Sequence, residues 1–563
     1  MGCFIPQRYR SPNAILFRFL SGILKLQTMH NERPLMWRLL FLGIVVGYCL
    51  VYAPFGVNET DGGFLTGLAW QVLSGKLLYL DIVYVRPPLP IWLRALELQW
   101  LPEHLAVLGE RWIFYVKIAL YAWFGAAVLA RGERRWWLAI LGFVVSAHSY
   151  PPMAWHSVDG ILFAVLAAYF VKRKSNWALS LGGAFLFLSL LCKQSFYPLL
   201  PLFILFLGLE KERPWARLSW FSAGFLLCTA LFFNYLYQYG SLGAFWQMTT
   251  GAASGGQAFQ HGILDYFRIS PELAIPSQVL LTTLVFWNRN AKHPRRSLAI
   301  WLCWLLALIG SFAAMAWIRQ VHTAPFAQTR MMFWVALGLF LFRCVPYFNA
   351  KAAFYQQRSV FLLLGISWCA AVSWGYSLPI LFATPWIWAA MEWTQILETQ
   401  ANLASRLRPY RFALLLALIM TFRVGHEFVY RDGRRSEMQT EMGSIFPQLS
   451  GVYSDESSAM LYRDLKQLSE RYGPNFTVLP AFPQANFLTK TPPPLPLDWV
   501  VNRETNRDNH LIFSALENKR PIIFIQKSFQ ASLQTDPELE VTRQVFQQFT
   551  LVEETPHFWV MRP

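Results

Sequence analysis

Trp112–Arg135 reads WIFYVKIALYAWFGAAVLARGERR. Residues 112–130 are predominantly apolar. As a helix rising about 1.5 Å per residue they approach the roughly 30 Å of a bilayer's hydrocarbon core. A basic cluster, Arg131–Arg135, closes the run. This pairing of a long apolar segment with a short basic one decides the fold, because it recurs along the first three quarters of the chain.

Comparable runs are expected at 37–54, 136–150, 159–171, 177–192, 195–209, 218–236, 276–288, 298–318, 326–343, 359–374, 377–393 and 410–424, giving about 13 spans. The composition agrees: of 563 residues 55% are hydrophobic and 14% charged, with 25 Trp and 46 Phe. Soluble domains are rarely so apolar. The fold class expected is a polytopic α-helical membrane protein.

The net charge of +17 fits either nucleic acid or an anionic membrane, and the placement of the charges decides between them. KRK (172–174), EKERPWAR (210–217), RNAKHPRR (289–296) and RLRPYR (406–411) sit between apolar runs. Alternate loops are poor in Lys and Arg. That is positive-inside topology rather than a nucleic-acid surface. The basic N-terminal segment is then cytoplasmic, and its AILFRFLSGILKL reads as an interfacial amphipathic helix. An odd span count puts the C-terminus outside. None of the seven Cys lies after residue 369 and none forms a CxxC pair. The tail therefore has no disulfide framework and no thiolate zinc site.

After Arg423 the composition turns polar. SSAMLYRDLKQLSERYG reads as a helix with Leu461, Leu465 and Leu468 at helical spacing, stopped by Gly473. NFTVLP, RPIIFIQK and HFWVMRP read as strands. The division expected is a cytoplasmic basic segment at 1–36, a transmembrane domain at 37–424 and an extracytoplasmic α/β domain at 425–563.

The first outward loop carries VNETDGGFLTGLAW, Val57–Trp70. Two acids, Glu59 and Asp61, stand at the mouth of a span. DGGFLTGLAWQVLSGKLLY reads as an amphipathic helix ending near Gly75, and RPPLPIWLRALELQWL as a second with prolines at its start. Both are expected to lie flat at the membrane surface.

From Asp61 through Gly75, Tyr79, Asp81 and Arg86-Pro87-Pro88-Leu89, the chain resembles the glycosyltransferase C superfamily, in particular the protein O-mannosyltransferases and the lipid A aminoarabinose transferases. WHSVDGILF, with Asp159 at the outer end of a span, and LLCKQSFYPLL, with Lys193-Gln194, extend the likeness. Many relatives carry Asp-Glu where this chain has Asp61-Gly62, and Lys where it has Arg86. The resemblance implies inverting transfer of a sugar from a polyprenyl-phosphate donor to a glycan, lipid or protein acceptor. It places that transfer at the outer face of the bacterial cytoplasmic membrane. Some members use a divalent ion and others do not, so the cofactor stays open.

The chemistry fits these residues independently. A base must take the proton of the acceptor hydroxyl, and cations must hold the departing phosphate. Asp61 suits the first task; Arg86, Lys193 and Arg319 suit the second. Glu59 and His322 are further substrate-binding candidates, and Asp159 a second catalytic one. Each has a plainer reading. Asp61 or Asp159 caps its helix, Glu59 is a solvated acid, Arg86 snorkels, and Lys193 marks a turn. His148, His156, His261 and His322 map outward without a close metal-ligand motif. Two other classes stay in view: a flippase for lipid-linked sugars, which needs repeats or ionisable groups at mid-membrane, and a non-catalytic envelope assembly protein.

Overall fold

The computed structural model describes residues 35–149, 151–173, 175–210, 212–251, 358–359, 362–363, 365–370, 426–430 and 432–563. The expected N-terminal amphipathic helix, the spans at 276–288, 298–318, 326–343, 377–393 and 410–424, and the candidates His261, Arg319 and His322 lie outside the described residues.

Ten helices lead the described chain: α1 (Leu35–Val51), α2 (Asp61–Leu73), α3 (Leu89–Trp100), α4 (Ala106–Leu129), α5 (Gly132–Ser149), α6 (His156–Val171), α7 (Asn176–Leu190), α8 (Leu199–Gly208), α9 (Pro214–Gln238) and α10 (Leu242–Gly251). The expected runs at 37–54, 112–130, 136–150, 159–171, 177–192, 195–209 and 218–236 fall on α1, α4, α5, α6, α7, α8 and α9. α4 starts six residues earlier than its run, because the helix continues through Glu110 and Arg111, whose charges both find internal partners. Among the described residues, two helices, Glu103–Leu129 and Pro214–Gln238, are long and apolar enough to cross a membrane; the other apolar helices have 10–17 residues. α1 and α9 turn leucines outward: Leu35, Leu39, Leu42, Leu50, Leu226, Leu227 and Leu231 are each more than half exposed. Apolar faces of that extent are rare on soluble monomers.

Helix packing here relies on close backbone approach. α7 crosses α9 where a Cβ on Gly183 would lie 1.9 Å from the Phe221 carbonyl oxygen, and one on Gly224 1.9 Å from that of Ser180. Small residues at crossings are the usual means of helix association in lipid, where apolar burial gives no advantage.

The tail contains α11 (Glu456–Tyr472), α12 (Ala485–Thr489), α13 (His510–Lys519), α14 (Gln530–Leu533) and α15 (Glu540–Gln548). Two short strands, β1 (Thr440–Glu441) and β2 (Tyr453–Ser454), pair antiparallel. A four-stranded sheet follows in the order β3-β4-β6-β5, from β3 (Phe476–Leu479), β4 (Ile522–Gln526), β5 (Thr550–Glu554) and β6 (Phe558–Arg562). β3 and β4 are parallel, and the other two pairings are antiparallel. Strand alternation sends Phe476 and Val478 to one face, with Tyr462, Leu465 and Leu468 of α11. Ile523, Ile525 and Trp559 go to the other, with Ile512, Leu516, Val541 and Val545. Asp455 caps α11 through Ser458 N–H, and Gly473 at φ +79° ends it. The buried stripe is Ala459, Tyr462, Leu465 and Leu468; Leu461, expected in it, is only half-buried.

Both hydrophobic clusters continue into the helical part, one through Val107, Leu108 and Ile118, the other through Phe64, Leu65, Leu68 and Tyr79. This corrects the expected lie of α2. Rather than resting flat on a membrane, α2 is buried around almost its whole circumference, from Asp61 to Gln71. Trp70 donates to the Thr491 carbonyl at 3.0 Å, Gln71 to Asp498 at 2.7 Å, and Lys76 to the carbonyls of Pro493 and Leu495. A helix that is apolar all round has no solvent face to offer, so it sits inside. α3 does keep an exposed apolar edge at Leu96 and Trp100.

The tail reaches α2 because α2 has glycine where they meet. A Cβ on Gly67 would stand 2.2 Å from the Pro483 carbonyl oxygen. Gly67→Ala must therefore push backbone from backbone, at a cost of about 1–3 kcal/mol. The expected result is a lower unfolding temperature in detergent and faster proteolysis of the tail. An unchanged melting curve would mean that this contact is slack.

Candidate active site

The residues singled out in the loop after α1 converge on the tail. Asp61 opens α2 and is 5% exposed. The helix end is capped by another residue: Asn58 Oδ1 accepts from Thr60 N–H (3.1 Å), the Thr60 hydroxyl (2.9 Å) and Gly62 N–H (3.2 Å). The capping work is done without Asp61. The Tyr430 hydroxyl, from the start of the tail, donates to Asp61 Oδ2 at 2.7 Å. A carboxylate has about four acceptor sites, and this bond takes one of them and orients the group.

Arg86 is held at its backbone first. Tyr79 donates to the Arg86 carbonyl at 2.8 Å, Gln194 to the Val85 carbonyl at 2.6 Å, and Val83 N–H to Pro496 at 3.0 Å. Its guanidinium forks onto Glu504 of the tail, Nη1 to Oε2 at 2.5 Å and Nη2 to Oε1 at 2.7 Å. It also lies 5.5 Å from the Phe64 ring centroid. Burial pushes the guanidinium pKa down, but the Glu504 carboxylate outweighs it, and Arg86 ends above its ordinary range. For Glu504, burial pushes up and Arg86 pulls down harder, leaving it below the usual carboxylate value.

Lys193, in the turn after α7, is half-buried. Among the described residues no hydrogen bond or ion pair engages its ammonium. Burial, and then the Arg86 charge, lower its pKa to about 7, while Glu504 pulls the other way. The same cluster holds His156, whose Nε2 lies 2.5 Å from the Tyr84 hydroxyl and whose Nδ1 is buried without a hydrogen bond. Asp61 acts electrostatically on Arg86, and Arg86 on Lys193 and His156. Three of the sequence candidates, Asp61, Arg86 and Lys193, are thus neighbours in space.

The remaining candidates lie elsewhere. Asp159, in the first turn of α6, is 1% exposed and ion-paired with Lys117 at 2.8 Å. Lys117 also reaches Glu97 at 2.9 Å, Glu97 meets Arg94, and Arg94 meets Glu110 at 2.6 Å. This chain of five charges ties α3, α4 and α6 together and reaches α2 through Thr66. Glu59 is half-buried and lies towards Asp432 and Tyr462, raising the pKa of each. His148 contacts the Tyr48 hydroxyl at 2.7 Å, away from the cluster. Among the described residues no three His, Cys, Asp or Glu side chains converge as a metal site would require.

A pocket adjoins Asp61 on the side of Gly62 and Tyr430, with Val57, Asn58, Arg111 and Asp432 in its wall. Asp432 accepts from Val57 N–H at 2.6 Å, and burial pushes its pKa up to about 7. Arg111 donates to the carbonyls of Ala53, Phe55 and Gly56, which shapes the chain between α1 and α2.

Sequence reasoning passed over Glu504 and Tyr430, which only tertiary contact joins to Arg86 and Asp61, and Asp432, which meets Val57 across a similar distance in sequence. It also passed over Arg94, Glu97, Glu110 and Lys117. Here a signal existed: Lys117 stands inside the very run that marks α4 as a span, and an ionisable residue in such a run is a site by default.

The site is one of buried charges at the junction of a helical bundle and an α/β tail. No family model matches the chain, and no curated protein matches it. Among solved structures, that of ArnT from Cupriavidus metallidurans in the apo state aligns over 94% of this chain and 98% of that one. The sequence identity is 13% and the TM-score 0.38, a likeness too slight to carry any of the reasoning below.

Proposed function

We propose that this chain is an integral-membrane glycosyltransferase of the glycosyltransferase C type. It takes a sugar from a polyprenyl-phosphate donor and passes it to an acceptor at the outer face of the cytoplasmic membrane. The carrying observation is that a buried, oriented carboxylate, Asp61, shares a cluster with two cations, Arg86 and Lys193. Those are the three groups that the transfer needs.

In this reading the acceptor hydroxyl approaches Asp61 from the pocket beside Gly62 and Tyr430. Its oxygen attacks the anomeric carbon while Asp61 takes the proton. The carbon–oxygen bond to phosphate breaks, its electron pair leaves with the phosphate, and Arg86 and Lys193 hold the charge that develops. Single displacement inverts the anomeric centre. Tyr430 keeps the base aimed. Asp159, tied into the ion chain, supports the helices behind the site rather than meeting the substrate. Arg319 and His322 are further candidates for donor contact, and the full span count, with the tail outside, belongs to the same reading.

The flippase reading has one observation on its side, the buried chain of charges from Glu110 to Asp159. Every member of that chain is paired within the protein, which suits a brace better than a path for cargo. Purified protein in liposomes, given labelled polyprenyl-phosphate sugars and envelope acceptors, separates the two. Covalent transfer to an acceptor supports the proposal; movement of the donor between leaflets without transfer sinks it. In the same assay Tyr430→Phe should lower transfer about tenfold, the worth of one hydrogen bond to a charged group. Full activity in that variant would leave Tyr430 out of the site.

A further inference from the structure

We propose that Glu504, carried on the tail, is a positioning residue for the two cations: it fixes the Arg86 guanidinium through a two-point ion pair and supplies the negative charge that offsets Arg86 against its neighbour Lys193. This rests on the reading of Arg86 and Lys193 as phosphate contacts.

The two-point geometry is the first support. A fork of 2.5 and 2.7 Å leaves the guanidinium no freedom to rotate. It uses one N–H of each terminal nitrogen, so Nε–H and the second Nη2 N–H remain side by side on the flanking edge for a phosphate. The rigidity of the Glu504 loop is the second. Asn502 donates to the Pro537 carbonyl and to Glu540, Asn509 to Asn502, and Thr505 to Asn509, with Asn502, Thr505 and Asn509 themselves buried. Asn506 and Arg507 follow in the left-handed region at φ 58° and 62°, which such a network must hold in place. Asn506 also donates to the Met248 carbonyl on α10, so the loop is fastened to the bundle as well as to the tail. Glu504 is therefore the fixed partner, and Arg86 is set by it.

Lys193 is the third support. An ammonium beside a guanidinium, with no partner of its own among the described residues, is repelled unless a third charge intervenes. The groups facing it are Arg86 from the first loop, Glu504 from the tail and His156 from α6. Asp61, Tyr84 and Arg503 face the Arg86–Glu504 pair in turn. Among the described residues that face Lys193 directly, Glu504 alone is negative. Lys193 loses its proton as pH rises through about 7, so phosphate binding should weaken across that range. Removing the Glu504 charge lowers the pKa of Lys193 further and moves the weakening to lower pH.

The test is binding of undecaprenyl phosphate to the full chain in detergent, at pH 6 and pH 8, for wild type, Glu504→Gln, Glu504→Asp and Lys193→Met. Undecaprenyl phosphate takes up a second negative charge across this range in every variant, so the Lys193 effect is read against Lys193→Met: relative to that variant, wild type should bind more weakly at pH 8 than at pH 6. Glu504→Gln should weaken the affinity at neutral pH by about tenfold, equivalent to one unit of pH, and shift the weakening towards acid. Glu504→Asp should keep the wild-type pH profile, because it keeps the charge, and it serves alone if the amide variant does not fold. Tighter binding of Glu504→Gln at both pH values would overturn the proposal, since Glu504 would then only be occupying the phosphate's place. An unshifted profile in Glu504→Gln would overturn it too. If wild type binds no undecaprenyl phosphate at any pH, the donor reading itself fails and this inference falls with it.

Discussion

Asp61→Asn should reduce sugar transfer by about 10²- to 10⁴-fold, the usual share of a positioned general base. The substitution is nearly isosteric. The asparagine carbonyl can still accept the Tyr430 hydrogen bond that Asp61 Oδ2 accepts at 2.7 Å. The start of α2 is secured by Asn58 and not by residue 61, so the helix should survive unchanged. The melting temperature should therefore stay near wild type while turnover collapses. Binding of undecaprenyl phosphate should also persist, because Arg86 and Lys193 are untouched. That combination, a folded and donor-binding protein that does not transfer, is specific to loss of the base. If Asp61→Asn transfers at the wild-type rate, Asp61 is not the base, and the role passes to Asp432, which lines the same pocket with its pKa pushed up to about 7 by burial. Asp159 is ion-paired with Lys117, and Glu59 lies towards Asp432 and Tyr462. Loss of transfer in Asp432→Asn with Asp61→Asn fully active would move the base to the tail.

How much of this was legible in the sequence follows from which interactions are local. Helix runs, the α11 stop at Gly473, and strands β3, β4 and β6 could be read because periodicity and capping are properties of neighbouring residues. β5 was missed: TLVEE is a mostly exposed edge strand with a bulge between Leu551 and Glu553, so it has little apolar alternation to read. Asp61 and Arg86 were singled out through the resemblance that their loop carries. Glu504 and Tyr430 were not, since each lies about 370 to 420 residues from its partner and only the docked tail joins them. The placement of α2 went wrong for the same reason. Its apolar character was read correctly as a need for burial, but a membrane surface was taken to cover it where the tail in fact does.

The ion chain behind the site makes the second large prediction. Arg94 is 1% exposed and serves Thr66, Glu97, Glu110 and the Ala106 carbonyl at once. Arg94→Met keeps much of the side chain's bulk but strands the Glu110 carboxylate, which is left without a cation away from water, while Glu97 keeps Lys117. Breaking one partner of a buried pair in this way costs about 3–5 kcal/mol. Adding Glu110→Met should restore part of that loss, because the penalty comes mostly from the stranded charge rather than from the missing attraction. Glu110 also accepts from Ala154 N–H at 2.7 Å, so restoration will be incomplete. Denaturant unfolding in detergent reads both variants. A double variant no more stable than Arg94→Met would show that the carboxylate is not what destabilises it. The prediction also bears on function. If the chain of charges is a brace, activity in Arg94→Met should fall in step with the folded fraction. If it were a path for cargo, Lys117→Met would abolish donor movement in a protein that is still folded. Lys117 is the member to test for that, since it joins Glu97 to Asp159 and stands near the middle of α4.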